Sequence, residues 1–177
     1  MALMKLRGCE FEFAPVRDSF NRRALAFKNG IIQALKSLGV KEDDLDVNME
    51  PLAIAKKEAF ASWYVEGRFY YYSCSQFRFV DNMFIVNKVL TMSIANVLSG
   101  RTPVEDFLND FQEESDVREK RAEAREYFGL PETFTMPEVD LMYRKISKDL
   151  HPDMPGGDVD KFKKLNEAHK ILKREFS

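Results

Sequence analysis

Thr135-Met136-Pro137-Glu138, Leu150-His151-Pro152-Asp153 and Asp158 punctuate the stretch that decides the fold of the C-terminal third. The first four residues combine a threonine N-cap, a proline in the first turn and a glutamate three residues on, which is how a helix starts. Val139, Tyr143, Ile146 and Leu150 then recur at steps of four, three and four, one apolar stripe of an amphipathic helix. That helix must stop at His151, because Pro152 disfavours helical geometry in the residue before it. The loop continues through Asp153-Met154-Pro155-Gly156-Gly157, and Asp158 caps a last helix with the stripe Phe162, Leu165, Ala168 or His169, and Leu172. Two amphipathic helices joined by a short, stiff loop make an antiparallel hairpin. An upstream helix at 117–128, ended by Gly129, is placed to pack across it.

Working back toward the N-terminus, the pattern changes. Phe20, Ala24, Phe27, Ile31, Leu35 and Leu38 form one helical stripe closed by Gly39. Leu45, Val47 and Met49 alternate with Asp46 and Asn48 as a short strand ended near Pro51. Residues 59–65 and 69–74 are rich in aromatics and flank Glu66-Gly67-Arg68, so they predict a β-hairpin. A second helix is expected from Asp81 to Leu98, closed by Gly100. Fold class is therefore α+β: a helix–small antiparallel sheet–helix unit over 1–100, an acidic helical connector over 101–116, and an all-α three-helix unit over 117–177. In the connector, Phe107 and Phe111 are expected to bridge the two units.

Composition bounds the function. Of 177 residues, 45% are hydrophobic and 32% charged, as expected of a soluble globular protein. No apolar run is long enough to span a bilayer, and Arg7, Glu10, Glu12 and Arg17 break up the start of the chain, which does not read as a secretory leader. A cytoplasmic location is the expectation. Cys9 and Cys74 make no disulfide framework, and with His151 and His169 they make no zinc spacing. Net charge is −2; residues 116–177 carry 13 basic and 13 acidic side chains, so bulk nucleic-acid binding is not expected. No Gly-rich phosphate loop, paired metal ligands or nucleophile motif is present, so the chain reads as no enzyme, needing no cofactor and no metal. His151 and Asp153 lack a nearby nucleophile, and Cys74 reads as a structural thiol. Trp63, Tyr64, Phe69, Tyr70, Tyr71 and Tyr72 could stack nucleobases. Arg68 and Arg78 are almost the only cations near them, which favours sheet core plus a protein-binding face.

Phe128-Gly129-Leu130, Tyr143-Arg144-Lys145-Ile146, Leu150-His151-Pro152-Asp153 and Phe162-Lys163-Lys164-Leu165-Asn166-Glu167-Ala168-His169 resemble the J-domain of DnaJ-family co-chaperones, over about 117–176. The resemblance implies docking on a DnaK-type chaperone and stimulation of its ATPase, with His151, Pro152, Asp153, Arg144, Lys145 and Lys148 as the chaperone-binding residues. Pro152 would stiffen the loop, and Asp153 would offer an acceptor-only charge to a cationic partner. Arg144, Lys145 and Lys148 share one helix face, opposite the apolar stripe. His169 replaces the usual tyrosine, and Asp140 and Asp149 put negative charge on a helix whose outer face should be basic. The order of the whole chain resembles small J-domain proteins of phages and mobile elements. Residues 1–100 would then choose the client or complex; the alternative is an adaptor or nucleic-acid-associated protein with a vestigial J-domain.

Overall fold

The computed structural model describes residues 1–18 and 20–176 and divides into two compact units, Met1–Ser115 and Asp116–Ser177. The first is α+β. It opens with a hairpin, β1 (Ala2–Leu6) and β2 (Cys9–Phe13), followed by helix α1 (Arg22–Ser37). A three-stranded antiparallel sheet comes next, in the order β3 (Leu45–Val47), β4 (Ala59–Val65), β5 (Arg68–Cys74). Helices α2 (Phe79–Leu98) and α3 (Val104–Phe111) complete the unit.

The N-terminal hairpin was not expected from the sequence. Its strands show the same alternation as the central ones: Cys9, Phe11 and Phe13 are buried while Glu10 and Glu12 are exposed. Both hairpins close through two-residue turns with both positions left-handed, Arg7 (φ 49°) with Gly8 (φ 75°), and Glu66 (φ 50°) with Gly67 (φ 75°). This is the turn whose twist matches the flanking strands, and glycine at the second position avoids the Cβ penalty.

Helix α2 is the centre of the unit. Phe79, Val80, Met83, Ile85, Val86, Val89, Leu90 and Ile94 are all buried, between α1 on one side and β4–β5 on the other. It starts at Phe79, two residues earlier than its sequence signals indicated, and buried polar groups fix that start. Asp81 accepts the Val16 amide at 2.6 Å and Arg78 Nε at 2.8 Å, while Arg78 Nη2 donates to the Val16 carbonyl at 3.1 Å. Asn82 uses its whole side chain: Nδ2 donates to the carbonyls of Lys57 and Phe77, both at 2.8 Å, and Oδ1 accepts from the Phe77 amide at 2.9 Å and Cys74 Sγ at 3.3 Å. Cys74 is buried, its thiol absorbed by this network.

Directly paired residues of β4 and β5 share a face. Trp63 opposite Tyr70 and Ala61 opposite Tyr72 line the core side. Helix α3 lies on that side, with Phe107 and Phe111 buried 6.1 and 5.9 Å from the Trp63 ring. Beyond α3, Gln112 bridges to Tyr70 and the Glu113 amide donates to the Phe69 carbonyl at 3.0 Å, so the chain runs along the outer edge of β5. Arg7 Nη1 donates to the Asp110 carbonyl at 2.9 Å and ties the first hairpin to the same place. The segment read from sequence as a connector is thus part of the first unit through its two phenylalanines. On the other face of the sheet, Phe60 stacks on Tyr71 at 5.7 Å and the Tyr64 ring lies tilted against Phe69 at 5.2 Å.

The second unit is all-helical: α4 (Val117–Phe128), α5 (Met136–Leu150) and α6 (Val159–Arg174). Gly129 ends α4 in the left-handed region, with its amide on the Glu126 carbonyl and that of Leu130 on Arg125, both at 2.9 Å. Helix α5 begins at the expected capping box, the Thr135 amide donating to Glu138 Oε2 at 2.6 Å. Helix α6 packs against both α4 and α5. Ala124, Phe128, Phe134, Val139, Leu165, Ala168 and Leu172 are the buried core. Each large side chain among them contributes roughly 1.5–3 kcal/mol of burial.

Candidate functional site

The loop between α5 and α6 is closed on itself. The Met154 amide donates to the His151 carbonyl at 3.0 Å, the Gly157 amide to Met154 at 2.9 Å, and the Asp158 amide back to Leu150 at 3.3 Å. Gly157 lies so close over His151 that a Cβ there would run into the His151 carbonyl. On the α6 side, Asp158 Oδ1 accepts the amides of Asp160 and Lys161 at 3.0 and 3.1 Å. These bonds, that of Lys161 first, hold the Asp158 carboxyl below its ordinary range and keep it ionised as a cap.

With the Met154, Gly157 and Asp158 amides spent on closure, the loop presents side chains. His151 is 47% exposed and Asp153 89%. The His151 ring packs edge-on against Phe162 of α6 at 5.4 Å, and its Nδ1 accepts the Asp153 amide at 3.3 Å. That bond places the proton of a neutral ring on Nε2, leaving Nε2 as a donor. Asp153 Oδ2 stands 3.6 Å from the same Nδ1, a contact that becomes an ion pair when the ring is protonated. The loop therefore offers one ring donor and one carboxylate acceptor on a fixed backbone.

Arg144, Lys145 and Lys148 are exposed on α5, opposite Val139 and Ile146. Leu141 is exposed on the same stripe, one turn before Arg144 and Lys145, a position that the sequence reading passed over. Asp149 flanks the stripe and is exposed. Asp140 turns toward α6, where its Oδ1 lies 3.0 Å from His169 Nε2. His169 also packs on Tyr143 at 4.4 Å, and the Tyr143 hydroxyl donates to Asn166 Oδ1 at 2.8 Å. From Asp140–His169 through Tyr143–Asn166 to His151–Phe162, three cross-links run down the hairpin to the loop.

Residues 126–176 match the DnaJ domain family. A segment of 56 residues is 43% identical to the "Chaperone protein DnaJ" of Lysinibacillus sphaericus (strain C3-41), covering 28% of this chain and 15% of that protein. A segment of 53 residues is 42% identical to the "DnaJ homolog subfamily C member 5 homolog" of Drosophila melanogaster, covering 28% of this chain and 21% of that one. The chain thus spans about a fifth or less of these curated relatives, and no solved structure matches it. Helix pair, closed loop and family match coincide on the same residues: the C-terminal unit of this chain carries a DnaJ domain.

Proposed function

We propose that this chain is a co-chaperone. Its DnaJ domain docks on a DnaK-type chaperone and stimulates ATP hydrolysis there, while residues 1–115 select the client or complex. The observation that carries this reading is the closed loop presenting His151 and Asp153 at the tip of the α5–α6 hairpin. A loop already held in shape loses little entropy on docking, so its side-chain contacts count nearly in full. Asp153 meets a cation on the chaperone, His151 donates beside it through Nε2, and Pro152 stiffens the turn. Arg144, Lys145 and Lys148 steer the encounter with an acidic surface. The chain makes and breaks no bonds of its own and works in a soluble compartment, the cytoplasm. No helix among the described residues is long and apolar enough to cross a membrane.

The test is single-turnover ATP hydrolysis by a DnaK-type chaperone with and without the full chain. Stimulation is expected. His151→Gln and Asp153→Asn should each lose it about five- to hundredfold, the equivalent of one charge-assisted contact worth roughly 1–3 kcal/mol. Wild-type stimulation that Asp153→Asn retains in full would refute the role of the loop. No stimulation by wild type would leave the adaptor with a vestigial domain as the better reading.

A further inference from the structure

Four exposed apolar side chains gather at one end of the first unit. Phe20 is 84% exposed, Leu25 49%, Leu52 65% and Ile54 59%. Hydrogen bonds bring them together. Asn21 Nδ2 donates to the carbonyls of Glu50 and Pro51 at 2.8 and 2.6 Å, pinning the loop after β3 to the start of α1. Phe20 precedes Asn21, and Leu25 lies one turn beyond it, its amide donating to the Asn21 carbonyl at 2.9 Å. Leu52 follows Pro51. Ala53 is buried, and its carbonyl accepts the Val80 amide at 2.9 Å, which leaves its two neighbours, Leu52 and Ile54, on the outside.

The rim of this patch is cationic. Arg17, Arg22, Arg23 and Lys56 are exposed, and α1 contains no carboxylate along its whole length. Two acids flank the patch: Glu50 is half-buried, and Asp18 is already engaged, its Oδ2 accepting the amides of Arg23 and Ala24 at 2.8 and 3.1 Å and its Oδ1 that of Phe20 at 3.2 Å. The local charge opposes that of the unit, since residues 1–115 carry 14 basic and 16 acidic side chains. An apolar centre with an arginine rim is the composition of a protein interface. The guanidinium fork matches carboxylates in pairs, whereas aliphatic side chains give nucleobases no ring to stack on.

We propose that Phe20, Leu25, Leu52 and Ile54, rimmed by Arg17, Arg22 and Arg23, form a docking surface for an acidic protein segment that carries apolar side chains. Calling that segment the client rests on the co-chaperone reading; the binding itself does not. The apolar side chains of the segment cover the patch, and its carboxylates pair with the arginines. The backbone on both sides is fixed by the Asn21 bonds, so docking orders little that is not ordered already.

The experiment uses the full chain and short synthetic peptides. One mixes Asp and Glu with Leu and Phe; the second replaces its acids by Lys; the third replaces its Leu and Phe by Ser. Phosphatidylserine vesicles are a fourth probe. The acidic–apolar peptide should bind at least about tenfold more tightly than either control peptide. Leu25→Asp with Ile54→Asp, and separately Arg22→Glu with Arg23→Glu, should each weaken it about tenfold. Leu25→Ser with Ile54→Ser serves if the aspartates disturb folding. The melting temperature and the stimulation of chaperone ATPase should stay at wild-type values in these variants. Equal binding of the lysine peptide, indifference to the substitutions, or tighter binding of the vesicles would overturn the proposal. Because peptide binding needs no chaperone, its failure is distinct from a failure of the ATPase assay.

Discussion

His169 Nε2 on α6 lies 3.0 Å from Asp140 Oδ1 on α5, so two of the three residues that depart from the pattern of a J-domain hairpin are each other's partners. Read one at a time, the histidine stands where tyrosine is usual and the aspartate puts negative charge on a basic helix. Together they are a cross-link near the far end of the helix pair from the loop. Removing both should cost less than the two single losses summed. In urea melts of Asp140→Ala, His169→Ala and the double variant, a coupling of about 0.5–1 kcal/mol is expected, since the pair is only half-buried. Strict additivity would mean that the contact contributes nothing.

The same geometry separates two acids that look alike in sequence. Asp149 is exposed beside Lys145 and Lys148, whereas Asp140 is engaged with α6. Asp149→Lys should strengthen docking to an acidic chaperone surface at low salt, and the gain should fade as salt rises. Asp140→Lys should gain less, because it breaks the bond to His169. ATP turnover across a salt series checks both; equal gains would place Asp140 on the docking face after all.

Gly157 gives a way to move the loop without touching its working side chains. A Cβ there collides with the His151 carbonyl, so Gly157→Ala must open the closure that runs from Leu150 to Asp158. Chaperone stimulation should fall at least about fivefold while the helices persist by circular dichroism. Unchanged stimulation would show that loop shape matters less than its side chains.

Asp158 gives the C-terminal unit a pH dependence. Its carboxyl is held below the ordinary aspartate range by the α6 amides, so its stabilising share is full above that range and is lost as pH falls through the lowered value. Asp158→Ala should flatten this part of the acid limb of the unfolding curve. A wild-type and variant curve of the same shape between neutral pH and strong acid would count against the cap.

In the first unit, Asn82 is the side chain with most to lose. Its four hydrogen bonds join the chain before β4, the end of β5 and the start of α2. Asn82→Ala removes four hydrogen bonds made by one fully buried side chain and should cost about 3 kcal/mol or more. Chemical denaturation measures it; a loss under about 1 kcal/mol would mean that water takes over the node.

The helix pair and its loop were legible because the signals are local: a capping box, an apolar stripe, a proline stop and an aspartate cap each act within a few residues. The β4–β5 hairpin was legible for the same reason. The first hairpin carries an equally clear alternation at Cys9–Phe13, but Arg7-Gly8 is a weaker turn signal than an asparagine–glycine pair. Asp140 and His169 were both conspicuous, yet they are 29 residues apart in sequence and their pairing depends on how their two helices are aligned. The destination of Phe107 and Phe111 was hidden in the same way: an apolar stripe says that a face is buried but not against what.

The run of Gln112 and Glu113 along β5 also bears on solubility. A sheet edge with free amides and carbonyls beside a row of aromatics is a template on which one chain can add to another. Here β3 offers an edge only three residues long, and the segment after α3 lies against part of the other. Cutting the chain after Gly100 would leave the sheet strands in place but uncover Trp63 and the β5 edge at once. Such a fragment should aggregate where the longer chain stays dispersed.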